Sequence, residues 1–384
     1  NEERGLFKTT DGGKSWTKIL YIDADSGCGD VAIDPQDPNI VYATTWQFRR
    51  WAYFFKSGGP GSGLHKSIDG GKTWRKITQG LPSSELGRIA IAVAPTRPSV
   101  LYASVESEKT GMYRSDDLGE SWRWTGTSSN VEARPFYFSL VVPDPADFNR
   151  VYKPGGIIAS STDGGQTFSS LGNGTHGDHH ALWIDPHNAD HMLLGTDGGI
   201  YRSFNRGVHW EFLQVLPVSQ FYKVAYDMQD PYNVYGGLQD NGTWKGPSRT
   251  SSGVRNKHWN NIGGGDGFGV QIDKQDPDII YVEWQGGRVQ RRRMSTGEMK
   301  DVKPLPGKDD PKYRFNWNTP IALSPTRDDT VYLGGQFLFR TLDRGESWEK
   351  ISPDLTTDDP EKQKQIDSGG LTPDNSTAEN HCTI

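Results

Sequence analysis

Ser67-Ile68-Asp69-Gly70-Gly71-Lys72-Thr73-Trp74 reads S-x-D-x-G-x-T-W, and the chain repeats that pattern. Thr9 to Trp16 (TTDGGKSW), Ser115 to Trp122 (SDDLGESW), Ser161 to Phe168 (STDGGQTF) and Thr341 to Trp348 (TLDRGESW) carry it. Ser203 to Trp210 (SFNRGVHW) is a copy in which Asn205 stands for the Asp. Each copy specifies a tight turn between two strands. The Asp carboxylate accepts backbone N–H bonds within the turn, and the Ser/Thr hydroxyl adds another. Gly supplies a positive φ that other residues resist. The closing aromatic gives the next strand a large apolar face.

A second signature lies between the turns: an apolar strand, a D-P or A-P turn, then a strand ending V/L-Y-A/G. Val31 to Pro35 with Val41-Tyr42-Ala43, and Ile91 to Pro95 with Leu101-Tyr102-Ala103, are clear copies. Others pair Leu140 to Asp144 with Tyr152, Val224 to Asp227 with Tyr235, Val270 to Asp273 with Tyr281, and Ile321 to Pro325 with Tyr332. Leu182 to Pro186 with Met192 to Gly195 completes the set. A repeat of about 40–50 residues holding four short strands is the signature of a propeller blade. The expected fold is therefore all-β: a β-propeller of four-stranded antiparallel blades. Its full blades fall at about 28–78, 87–125, 134–170, 178–213, 220–245, 266–301 and 318–351. A partial blade occupies 1–20, a long loop 353–380, and the start of a further blade 381–384. This makes 1–384 one propeller region, expected to be part of a longer protein. A β-solenoid is the alternative fold, but its coils are usually shorter. A short helix is expected near Asp358–Ile366.

Composition agrees with short strands. The chain is only 33% hydrophobic, yet holds 46 Gly, 13 Trp and 15 Tyr, which suits many turns and aromatic strands. Its net charge of −6 gives no footprint for nucleic acid, and Arg291-Arg292-Arg293 reads as a solvated strand. No run of about 18 apolar residues offers a membrane span. Cys28 and Cys382 do not define a disulfide framework, and their pairing is left open.

The five turns with their alternating D-P and V-Y-A pairs resemble Asp boxes, or BNR repeats. The family is that of the Asp-box propellers: bacterial secreted "BNR-repeat glycosyl hydrolase" and sortilin-like proteins, and more distantly xyloglucan-cleaving glycosidases and sialidases. Asp178-His179-His180-Ala181-Leu182-Trp183, Gly237 to Gly242, Gly263 to Phe268 and Arg314 to Pro320 are phrases similar to that group. The resemblance implies fold more than activity, because the boxes are structural. It also implies a secreted, periplasmic or cell-surface location. Asp11, Asp69, Asp117, Asp163 and Asp343 are accordingly assigned structural roles.

In a propeller, chemistry belongs to the face where residues enter the innermost strands. Asp178, Asp240 and Asp266 are the candidate catalytic carboxylates there, since a glycosidase needs two. Candidate ligand contacts are Arg134, Tyr137, His179 and His180, then Tyr222 and Gln239, then Arg314, Asn316, Trp317 and Asn318. His176, Asp178 and His180 are two residues apart and would share one face of an extended strand, a weak metal candidate. No cofactor is expected. Two functions are carried forward: an exported binding module holding a glycan or peptide, and a glycoside hydrolase acting on a polysaccharide. A third is a structural module partnered by the rest of its own chain.

Overall fold

The computed structural model describes residues 1–214, 216, 218–374 and 380–384. Residues 375–379 of the expected long loop lie outside the described residues. The chain is all-β and made of β-propeller blades, each a four-stranded antiparallel meander. It forms two compact units, Asn1–Leu216 with Ile366–Asp374, and Pro217–Gln365 with Asn375–Ile384.

The first unit opens with the hairpin Leu6–Lys8 and Thr17–Leu20. Its blades have inner strands Ser26–Ile33, Ile89–Val93, Val142–Pro143 and His179–Asp185. The second unit has inner strands Lys223–Tyr226, Gly267–Ile272 and Ile321–Leu323. In the blade opening at Lys223 the fourth strand is Asn260–Gly263, beyond the expected limit of 245. There Asn241-Gly242 closes the second strand onto the third instead of the third onto the fourth. The helix expected near Asp358–Ile366 is two 3-10 turns, Pro360–Gln363 and Gln365–Asp367. Asp359 caps the first turn, but no apolar stripe follows to carry it into an α-helix.

The Asp-box turns close as their chemistry requires. In Ser67–Trp74 the Asp69 Oδ1 accepts the Thr73 N–H at 2.9 Å, and its Oδ2 accepts the Thr73 hydroxyl at 2.6 Å. The Ser67 hydroxyl donates to Asp69 Oδ1 at 2.8 Å and accepts the Gly71 N–H at 2.8 Å. Gly71 sits at φ 90°, where a side chain would be strained. The copies at Asp11, Asp117, Asp163 and Asp343 repeat the carboxylate-to-backbone bond at 2.9–3.0 Å.

The D-P and V-Y-A phrases build the cores. Tyr42, Tyr102, Tyr152, Tyr235 and Tyr281 are buried, and so are the turn aspartates Asp34, Asp144, Asp227 and Asp273. Tyr152 and Tyr235 donate to their own turn aspartates at 3.1 and 2.9 Å. Tyr42 and Tyr102 instead reach the next blade, donating to the Leu118 and Phe148 carbonyls at 2.7 Å. The second unit has a matching tie: Arg344 Nε lies 3.1 Å from buried Asp273 of the preceding blade.

The insertion after Val41–Arg50 folds back as Phe55–Ser57, and Gly369–Gly370 adds a parallel strand to it. Phe55 packs on Phe136 with ring centroids 4.6 Å apart, and the Arg88 guanidinium lies 4.9 Å over Trp46. Phe55 and Phe136 are therefore core of the first unit, while Trp51 stays exposed. No helix among the described residues is long and apolar enough to cross a membrane.

Candidate functional site

In the first unit, strand His179–Asp185 enters its sheet through an irregular register, and Asp178 just before it has φ 57°. The strict alternation of an extended strand fails at this point. His179 is 2% exposed, with Nδ1 3.0 Å from the Gly155 carbonyl and Nε2 2.9 Å from Thr175 Oγ1. It is a packing residue, which corrects its assignment as a ligand contact. Burial lowers its pKa, so it is held neutral. Among the described residues, the carboxylate, thiol and imidazole groups that gather in threes or more within 4.8 Å of one another do not include His176 or His180. The cause is the broken alternation: the His176 ring turns back to the Gly177 carbonyl at 3.0 Å.

His180 does reach a partner, with Nε2 3.1 Å from Asp197 Oδ1. Its ring stacks on Phe138 at 5.5 Å and meets the edge of Tyr137 at 5.3 Å. The Arg134 guanidinium covers Tyr137 at 4.8 Å, while its Nε donates to Asp374 at 2.5 Å. Asp178 and Asp197 bring carboxylate oxygens within 4.8 Å of each other. The first unit thus assembles Arg134, Tyr137, His180, Asp178 and Asp197 into one polar and aromatic patch.

In the second unit, Asp266 is 7% exposed, and its Oδ1 accepts the Asp240 N–H at 2.8 Å. Its own N–H donates to Gln285 Oε1 at 2.7 Å. That buried oxygen is committed to holding the Asp240 turn, where Asp240 has φ 61°. Tyr222 donates to Gln239, and its ring lies 4.7 Å from Phe268. Burial, then the negative charges of Asp266 and Asp240, raise the Tyr222 pKa. Tyr222, Gln239, Asp240 and Asp266 are therefore neighbours.

The remaining candidates of this unit are tied down. Arg314 Nη2 meets Asp354 at 2.7 Å and Asp358 at 2.9 Å, so its charge is spent inside the fold. Asn316 donates to Thr383 Oγ1 at 2.9 Å, and Asn318 accepts from Lys223 at 3.0 Å. Trp317 and Arg314 line a cavity of roughly 870 Å³. Tyr313, Phe315 and Trp317 form one part of its wall and Arg288, Lys303 and Lys312 another. Gln285, Gln363 and Gln365 supply amides, and no Asp or Glu among the described residues lines it.

Sequence reasoning missed most of this wall. It ranked residues by closeness to the start of an inner strand, whereas the wall comes largely from the loop after Lys303. One signal was present: Tyr313, Phe315 and Trp317 alternate with polar residues over five positions.

No family model matches this chain. It is 24% identical over 306 residues to a xyloglucanase, Xgh74A, of Acetivibrio thermocellus, a match covering 72% of this chain. The match takes in 32% of that enzyme, so the chain spans about a third of the length of its curated relative. Among solved structures, an ancestral GH74 enzyme aligns at 16% identity and TM-score 0.37, over 84% of this chain and 46% of that one. YCF48 bound to D1 peptide aligns at 12% identity and TM-score 0.36, over 84% and 95%. The chain is thus similar in sequence to a xyloglucan-cleaving enzyme, and its fold rests on its own sheet topology.

Proposed function

We propose that this chain is an exported binding module that holds a glycan in the cavity of its second unit. One observation supports this above others: the cavity pairs aromatic surface with side-chain amides, and no carboxylate among the described residues lines it. Half-buried Tyr313 and Trp317 suit stacking on sugar rings. Amide side chains suit hydroxyl groups, offering both donors and an acceptor. The volume lies in the range of about 300–1,000 Å³ that holds a ligand of modest size, here a short oligosaccharide. Glycosidic hydrolysis needs a pair of carboxyl groups at the bond, which this wall does not provide.

Calorimetric titration with a panel of neutral and acidic oligosaccharides tests the reading, with reducing-sugar release measured in parallel. Saturable binding without release is the expected result. Trp317→Ala should weaken that binding about tenfold or more. Unchanged affinity in that variant, with its thermal transition intact, would remove the cavity from the function.

A second reading, a polysaccharide hydrolase, is favoured by the name of the A. thermocellus relative and by the closeness of Asp240 to Asp266. It predicts release of reducing ends from xyloglucan, abolished by Asp240→Asn or Asp178→Asn. Absence of release by the wild-type chain rejects it for this chain.

A further inference from the structure

Resting on the glycan reading, we propose that the ligand of the second unit's cavity is an anionic glycan, one bearing carboxylate or sulfate groups, with Arg288 and Lys312 as its charge contacts. The chain as a whole carries a charge of −6. Against that background, a cavity walled by Arg288, Lys303 and Lys312, with no acidic side chain among the described residues, concentrates positive charge. Elsewhere in this unit cations meet carboxylates. Arg291 meets Glu346 at 2.9 Å, Arg293 meets Asp276 at 3.1 Å, and Lys350 meets Asp310 at 2.9 Å. Arg314, at the same cavity, has two aspartate partners.

Arg288 and Lys312 differ from all of these. Both are exposed to the cavity, and neither side chain makes a hydrogen bond or ion pair among the described residues. Lys303 lies deeper. Its Nζ donates to the Gly286 carbonyl at 2.7 Å and sits 4.3 Å over the Phe315 ring. Burial, then the positive charge of Arg288, lowers its pKa.

The rest of the wall favours a sugar over an acidic peptide. Gln285, which lines the cavity, uses its carbonyl on the Asp266 N–H, and its NH₂ group has no hydrogen-bond partner among the described residues. Gln365 makes no side-chain hydrogen bond among the described residues. These amides beside Trp317 match hydroxyl groups on a flat ring. The aromatic rings of Tyr313 and Trp317 beside these amides offer stacking surface that an acidic peptide would not need.

The test is titration of the whole chain with trigalacturonate, with a sulfated chondroitin disaccharide and with neutral cellotriose, at low and high salt. The acidic sugars should bind at least about tenfold tighter than cellotriose, equivalent to about 1.4 kcal/mol, and should weaken as salt rises. Arg288→Ala and Lys312→Ala should each cost about tenfold toward trigalacturonate while changing cellotriose binding by less than about twofold. Lys274→Ala, on the exposed surface of the same unit, should change neither. Thermal unfolding of each variant separates lost contact from lost fold. Equal binding of acidic and neutral sugars, indifferent to both variants, would overturn the anion preference and leave the glycan seat standing. Binding of no sugar would overturn both readings. Binding of oligoglutamate with no sugar bound would reassign the cavity to an acidic peptide.

Discussion

The Asp-box carboxylate is a side chain doing a backbone's work. Asp163 Oδ1 accepts the Thr167 N–H at 3.0 Å and Oδ2 accepts the Thr167 hydroxyl at 2.6 Å. Asp163→Ala leaves these donors to water and should cost about 1–2 kcal/mol in chemical denaturation, the range for lost turn and cap bonds. Asp163→Asn should cost less, and the chain already shows why. Asn205 Oδ1 still accepts the His209 N–H at 2.8 Å, and its Nδ2 meets His209 Nδ1 at 2.8 Å in place of the usual hydroxyl. Equal losses for the two Asp163 variants would mean that charge, not acceptor geometry, holds the turn. The boxes also set an acid limit. Hydrogen bonds from Ser15 and from Ser347 hold the Asp11 and Asp343 pKa values at about 2, below the ordinary 3.8. Depressed carboxylates lend stability that is complete above the unfolded value and lost as pH falls toward the folded one. Stability should therefore decline between about pH 4 and pH 2, read by circular dichroism during acid titration. A flat profile through that window would contradict the turn chemistry.

At the scale of one strand, two buried charges act in opposite directions. Lys153 ends Val151–Lys153 fully buried, and its Nζ donates to the Phe138 carbonyl at 2.6 Å and that of Pro154 at 3.1 Å. Burial, then the charge of Arg88, lowers its pKa to about 7. The unfolded chain keeps its proton to about 10.5, so stability rises with pH between about 7 and 10. Glu283, in Ile279–Trp284, is equally buried and accepts the Gly269 N–H at 3.0 Å. Burial outweighs that bond and raises its pKa to about 8. Here the folded state holds a proton the unfolded chain releases near 4.5, so stability falls as pH rises from about 4.5 to 8. Lys153→Met should flatten the upper slope, and Glu283→Gln the lower one, when unfolding midpoints are followed against pH. Neither residue was legible as buried charge. Lys153 follows a Val-Tyr pair and reads as the exposed end of a strand. Glu283 is hidden because alternation alone does not report how closely Gly269 and Thr319 pack over it. What alternation did report was the strand framework itself, since a period of two with D-P and Asp-box turns leaves few other ways to pair.

Across the whole molecule, the same distinction separates what the residues declare from what they conceal. Repeats declare the blades, because each blade satisfies its own turns and packs against its neighbours in the same way each time. A cavity is concealed, because its wall is gathered from loops with no common period, as Arg288, Lys312 and Gln365 are. The two cysteines offer a test at this scale. Both are free thiols, one in each compact unit. Cys28 is largely buried, which pushes its pKa up to about 11, and Cys382 is 4% exposed. Alkylation of either should require opening of its unit. Labelling rates, divided by those of the unfolded chain to remove the thiolate's own pH dependence, then report two local stabilities. Raising the pH from 5 to 8 should speed labelling of Cys382 relative to Cys28, because Glu283, in the second unit alone, holds a proton that the unfolded chain releases in that window. Glu283→Gln should cancel that change while leaving Cys28 protection as it was. If both thiols respond to pH in parallel and the variant alters neither ratio, the buried carboxyl does not control the stability of its unit.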